Sequence, residues 1–86
     1  NNCIINNQAL IEHDVFVGND CHISTSAIIN GNCRVGNNCF IGSKSAIKNG
    51  IEVINGSFLG IGSILTKSIV ESSLYFGNPA KKIKSL

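Results

Sequence analysis

From Ile5 to Leu65 every sixth residue is a branched aliphatic: Ile5, Ile11, Val17, Ile23, Ile29, Val35, Ile41, Ile47, Val53, Leu59 and Leu65. An amphipathic helix repeats its buried face about every 3.6 residues and a plain strand every two, so neither produces this period. A solenoid does, provided the chain turns a corner after each short strand. The residue two places before each aliphatic is mostly small: Cys3, Ala9, Val15, Cys21, Ala27, Cys33, Cys39, Ser45, Ile51, Ser57, Ser63. Residues two apart on a strand share a face, so each unit is expected to turn one large and one small side chain inward. The pairs left between units are the corners, from Asn7-Gln8 and His13-Asp14 through Asn55-Gly56 and Ile61-Gly62. Asn, Asp and Gly prevail there, because a sharp corner needs either positive φ or a side chain that bonds its own backbone.

Three units closing a triangular coil of 18 residues put Ile5, Ile23, Ile41 and Leu59 inside a face A. Ile11, Ile29, Ile47 and Leu65 fall inside face B, and Val17, Val35 and Val53 inside face C. The residue before each aliphatic then points outward. Face A shows Ile4, His22, Phe40 and Phe58; face B shows Leu10, Ile28, Ala46 and Ile64; face C shows Phe16, Arg34 and Glu52. Faces A and B are thus apolar on the outside, which predicts a homo-oligomer.

At 86 residues the chain is expected to form one small domain, with the solenoid over 1–68 and a closing segment over 69–86. It contains no Met and starts in mid-pattern, which we read as a piece of a longer protein lacking an N-terminal part. A net charge of +2 is too weak to argue for nucleic acid. No apolar run has the length of a membrane span and no signal peptide is visible, so no membrane partner is expected. All four cysteines take the small inward position. Cys3, Cys21 and Cys39 stack in successive coils, with side chains running parallel in a way that suits a disulfide poorly. Buried reduced thiols are the expectation, and they point to the cytoplasm.

Two histidines carry the potential chemistry. His13, followed by Asp14, sits at the corner between faces B and C, and Gly31, one coil later, should lie directly above it. A base, an adjacent carboxylate and a nearby glycine N–H make an acyl-transfer constellation. His22 points outward from face A. A face about 13–15 Å wide separates the two rings, so one site using both must be shared between subunits. A histidine at an exposed turn is equally ordinary surface chemistry, and His-Asp at a corner is also turn chemistry.

The run Ile11-Glu12-His13-Asp14, then His22-Ile23-Ser24, then Gly31, resembles one branch of the hexapeptide-repeat acyltransferases, that of the sialic acid O-acetyltransferases and bacterial amino-sugar N-acetyltransferases. Phe76-Gly77-Asn78-Pro79-Ala80-Lys81 resembles their Gly-Asn-Pro-Ala-Lys closing motif. The resemblance implies an all-β fold, the left-handed parallel β-helix, in a homotrimer with active sites between subunits. It implies an acetyltransferase that passes the acetyl group of acetyl-CoA directly to a sugar amine or hydroxyl in bacterial surface-glycan biosynthesis. His13 would be the general base and Asp14 its orienting carboxylate. His22 would contact the thioester region, Gly31 would donate its N–H to the oxyanion, and Ser43 and Ile61 would contact the cofactor. Lys81 or Lys82 would neutralise a coenzyme phosphate. Ser43 and Ile61 depart from the usual residue types at their positions, so backbone contacts are the ones expected there. The family's N-terminal sugar-binding region has no counterpart in this chain, so the acceptor sugar is not legible.

Two other readings belong to different classes. A zinc carbonic-anhydrase-like site needs three histidine ligands, and only His13 and His22 are present, at the wrong spacing, so no metal site is expected. A non-catalytic trimeric solenoid module is the second; an ice-binding version of it would show a flat threonine array, which the outward rows lack.

Overall fold

The computed structural model describes residues 3–85 of the chain. Among them eleven two-residue strands follow at six-residue steps: β1 (Ile4–Ile5), β2 (Leu10–Ile11), β3 (Phe16–Val17), β4 (His22–Ile23), β5 (Ile28–Ile29), β6 (Arg34–Val35), β7 (Phe40–Ile41), β8 (Ala46–Ile47), β9 (Glu52–Val53), β10 (Phe58–Leu59) and β11 (Ile64–Leu65). Two longer strands close the fold, β12 (Ser73–Gly77) and β13 (Ala80–Ser85). The strands sort into three sheets. Face A runs β1-β4-β7-β10-β12-β13, face B runs β2-β5-β8-β11, and face C runs β3-β6-β9. Pairing is parallel, with Ile5 opposite Ile23, Ile23 opposite Ile41 and Ile41 opposite Leu59, so the lap is 18 residues as the spacing predicts.

The aliphatic column is the core. Ile23, Ile29, Val35, Ile41 and Ile47 are wholly buried. Each such side chain contributes about 1.5–3 kcal/mol of transfer free energy, an upper value because the unfolded chain is already partly collapsed. The small inward residues pack beside them. No disulfide links Cys3, Cys21, Cys33 or Cys39 among the described residues. Instead Cys21 Sγ donates to the Gly36 carbonyl at 3.0 Å and Cys39 Sγ to that of Ile54 at 3.3 Å. Burial pushes both thiols above their ordinary pKa.

The corners obey one geometric rule. The second residue of each has positive φ: Gln8, Asp14, Asp20, Ser26, Asn32, Asn38 and Lys44, then Gly50, Gly56 and Gly62. A non-glycine residue in this region costs about 1–2 kcal/mol, and Gln8, Ser26 and Lys44 are not the residues that turn chemistry favours. A coil-to-coil ladder holds Ser26 and Lys44 there. From the second coil onward the positive-φ residue donates its N–H to the corner one lap earlier: Ser26 to Asn7, Asn32 to His13, Asn38 to Asn19, Lys44 to Thr25, Gly50 to Gly31. The corner between faces C and A adds a second ladder. Asn19 N–H donates to Asn37 Oδ1, and Asn37 N–H to Asn55 Oδ1, both at 2.7 Å.

The winding continues past the last aliphatic of the hexad. Ile69 bridges Val53 in parallel and is buried, and Leu59 lies opposite Tyr75. Both offsets are 16 residues, because only Thr66, Lys67 and Ser68 separate Leu65 from Ile69 at the turn onto face C. Ile69 therefore closes a shortened fourth coil, β12 starts a fifth pass on face A, and only β13 doubles back, antiparallel to β12. Gly77 and a cis Asn78–Pro79 peptide form the turn between them.

Candidate functional site

His13 and Asp14 occupy the turn between β2 and β3, with side chains 72% and 79% exposed. His13 Nδ1 lies 3.3 Å from Asp14 Oδ2. Gly31 is the next residue along this edge, one lap on. A Cβ placed on it would sit 2.7 Å from both Cε1 and Nε2 of His13. The imidazole therefore rests against the bare Gly31 Cα, and any larger residue there would displace the ring. The backbone fixes the same contact: Asn32 N–H donates to the His13 carbonyl at 3.1 Å, and the Gly31 carbonyl accepts from Gly50 N–H at 3.0 Å. With Nδ1–H donating to the carboxylate, Nε2 keeps its lone pair and is the atom able to take a proton.

His22 lies on β4, half-buried on the outside of face A. Its Nε2 is 3.2 Å from Asn6 Nδ2, which only donates, so Nε2 accepts here and the ring proton resides on Nδ1. The ring also leans on Phe40, with centroids 5.1 Å apart, and Phe40 stacks on Phe58 at 4.4 Å. Asn6 was not among the residues that the sequence singled out. Ile4 is the strand partner of His22, and Asn6 stands two residues beyond Ile4 on the same outward side. It is thus a diagonal cross-strand neighbour, close enough for a long side chain to reach. The signal was an outward polar residue one diagonal step from a histidine.

The structure does not bring the two histidines together within the protomer: His13 is at the B/C corner and His22 is on the outer surface of face A. Ser43 and Ile61 do meet, at the A/B corner, where Gly62 N–H donates to the Ser43 carbonyl at 2.8 Å. Ile61 is 66% exposed. Beside it the Phe76 ring covers Gly60, at whose Cα a methyl group would collide with the ring. Lys81 pairs with Phe76 across the closing hairpin and is exposed. The two lysines left open by the sequence differ in the structure. Lys82 Nζ forms an ion pair with Glu71 at 3.0 Å, whereas Lys81 has no ion pair among the described residues.

Face C carries a groove of about 560 Å³, lined by Phe16, Arg34, Glu52, Ile54 and Val70 among others. The Arg34 guanidinium lies 4.6 Å above the Phe16 ring. None of the sequence-derived candidates lines it. Among the described residues no three His, Cys, Asp or Glu side chains converge in a metal-binding group.

Residues 14–49 match the family described as Bacterial transferase hexapeptide (six repeats). Among solved structures the chain is similar to a hexapeptide transferase family protein from Anaplasma phagocytophilum, with 31% identity and a TM-score of 0.90 over 98% of this chain and 52% of that one. It shares its fold with the acetyltransferase domain of PglB from Neisseria gonorrhoeae in complex with acetyl coenzyme A, at 20% identity and a TM-score of 0.67 over 95% of this chain and 55% of that one. A variant of perosamine N-acetyltransferase from Caulobacter crescentus, in complex with CoA and GDP-perosamine, has the same fold at 19% identity and a TM-score of 0.61, over 94% and 53% of the two chains. The chain spans about half the length of these structures. No curated protein matches it.

Proposed function

From the premise that this chain is a hexapeptide-repeat, left-handed parallel β-helix of the bacterial transferase type, we propose that it is the β-helical part of an acetyl-CoA-dependent acetyltransferase acting on a sugar amine or hydroxyl. One observation carries the reading. His13 has its Nδ1 beside Asp14 Oδ2 and its Nε2 edge against the bare Cα of Gly31. The neighbouring folds solved with acetyl coenzyme A, or with CoA and GDP-perosamine, support the same class of donor and acceptor.

In this reading His13 Nε2 takes the proton from the acceptor amine or hydroxyl as its lone pair attacks the thioester carbonyl. Asp14 holds the imidazolium that forms and keeps the tautomer correct. The Gly31 N–H faces the carbonyl oxygen as negative charge develops there. As the carbon–sulfur bond breaks, His13 returns the proton to the departing thiolate. Acetyl-CoA supplies the acyl group as a substrate. His22, Ser43 and Ile61 line its path, and Lys81, the lysine left without an ion pair, meets a coenzyme phosphate. Because His13 and His22 stand apart in one protomer, the complete pocket lies between subunits of a homotrimer. The exposed outward rows of faces A and B, with Ile4 54%, Leu10 48% and Phe58 37% exposed, support that packing. The reduced cysteines and the sugar-nucleotide chemistry suit a cytoplasmic enzyme of surface-glycan synthesis.

The test uses the full-length protein, a panel of amino-sugar nucleotides and sialic acids, and acetyl-CoA, with thiol release as the signal. His13→Ala is expected to lower the rate by about 10²-fold or more. An unchanged rate removes His13 as base. No release with any acceptor favours the non-catalytic module instead.

A further inference from the structure

The chain contains three Asn-Gly pairs: Asn30-Gly31, Asn49-Gly50 and Asn55-Gly56. In such a pair the glycine nitrogen attacks the asparagine Cγ with little steric hindrance, since no β-carbon stands in the way. Ammonia leaves, carrying the proton that the nitrogen gives up, and a five-membered imide forms. Water then opens the imide at either carbonyl, yielding aspartate or an iso-aspartyl linkage in which the main chain is longer by one methylene. Water is the only co-reactant. In an unfolded chain the three pairs are near-equivalent. In the fold they are not.

Attack requires the side-chain amide to swing onto the following nitrogen. Asn30 is tied back, because its Nδ2 donates to the Ile47 carbonyl at 2.9 Å and Gly31 itself is buried under His13. Asn55 is tied through Oδ1, which accepts Asn37 N–H at 2.7 Å, and the Cβ position of Gly56 is crowded by Ser72 Oγ at 2.9 Å. Asn49 has no side-chain hydrogen bond among the described residues; both it and Gly50 are exposed, and nothing lies within 4 Å of the Gly50 Cβ position. Gly50 and Gly56 share nearly the same φ, 77° and 73°, so side-chain tethering and crowding separate them rather than backbone shape. The Gly50 N–H bond to Gly31 O, at 3.0 Å, is no tighter than the 2.8 Å bond from Gly56 to Asn37.

We propose that Asn49 is the chain's site of spontaneous deamidation, and that the modification reaches the His13 edge through the backbone. The imide has no N–H, so its formation deletes the bond from Gly50 to the Gly31 carbonyl. That carbonyl belongs to the same peptide whose N–H, on Asn32, holds the His13 carbonyl at 3.1 Å. The link between the modified residue and the candidate base is therefore two hydrogen bonds on opposite sides of one peptide unit. The iso-aspartyl product adds a methylene to a corner whose length is set by the six-residue period, and so leaves the ladder one atom out of step.

The experiment ages the folded full-length protein at mildly alkaline pH and maps peptides by mass spectrometry, scoring the amide-to-acid mass change and iso-aspartate at each pair. The same measurement in concentrated urea supplies the unfolded reference. Deamidation at Asn49 is expected to outpace Asn30 and Asn55 at least several-fold in the folded protein, with the gap closing in urea. Asn49→Gln should abolish most of the folded-state modification. Equal rates at the three sites, a faster Asn55 or Asn30, or an Asn49 as slow as the other two would overturn the proposal. This readout does not depend on catalysis. If acetyl transfer is also observed, its rate should fall as the iso-aspartyl fraction grows, and a rate that ignores that fraction would sink the backbone link while leaving both the modification and the enzyme assignment intact.

Discussion

The two ends of the prism are built from the same repeat yet treat their inward residues differently. At the C-terminal end Leu59 and Leu65 are 1% and 2% exposed: β12 pairs with β10 beyond Leu59, Gly77 at its end donates its N–H to Ser63 Oγ just before β11, and β13 folds back beyond. At the other end Ile5 occupies the same inward column and is 51% exposed, and the inward Ile11 and Val17 of that coil are only partly buried. The repeat thus supplies register at every coil, but burial only where another coil stacks on it. That is the expected behaviour of a quasi-one-dimensional fold, in which each unit gains its stability from its neighbours.

The sharpest test of this contrast is a pair of truncations in the one column. Leu59→Ala should cost about 2–5 kcal/mol, as for a buried leucine left with a cavity. Ile5→Ala should cost under about 1 kcal/mol, since half of that side chain never leaves water. Urea midpoints measure both, and equal costs would mean that the first coil is as well packed as the last. A smaller effect examines the cap itself. Gly60→Ala pushes a methyl into the Phe76 ring and should cost about 1–3 kcal/mol. In a Phe76→Ala background most of that cost should vanish, and a double-mutant cycle showing no coupling would detach the hairpin from the coil below it.

The smallest effect concerns protons. Burial raises the Cys21 and Cys39 pKa values, so the folded chain keeps those protons to higher pH than the unfolded chain does. The associated stability is whole below the unfolded thiol value, about 8.5, and is lost as pH climbs past it toward the raised folded values. Chemical unfolding between neutral and strongly alkaline pH should show this decline, and Cys21→Ser/Cys39→Ser should flatten it. A thiol-alkylation time course should also find half-buried Cys3 modified ahead of buried Cys21 and Cys39. Uniform labelling would show that the first coil shields its interior as well as the others do.

Much of the candidate site's geometry was legible because an unbroken 18-residue lap makes distance along the chain equal adjacency in space. Gly31 over His13 and Ile61 over Ser43 follow from that lap alone, and the glycine geometry and corner hydrogen bonds agree. What escaped lies off that lattice. Asn6 reaches His22 diagonally, which a vertical column does not reveal. The ion pair of Lys82 with Glu71 depends on the hairpin register, and no repeat sets that register. The closing of the fourth coil was missed because the hexad calls for an aliphatic at position 71, where Glu71 stands. Ile69 takes the inward place two residues early instead.

The closing hairpin has a consequence for assembly. The two residues dropped at the turn through Thr66, Lys67 and Ser68 leave the inward order intact, with Ser73 in the small place and Tyr75 opposite Leu59. What interrupts the parallel stack on face A is the reversed strand β13, carrying Lys81 and Lys82 along the outermost described row. Strand-to-strand fibre growth, the hazard that open parallel edges create, meets at this edge a chain of opposite direction and a pair of like charges instead of a ready template.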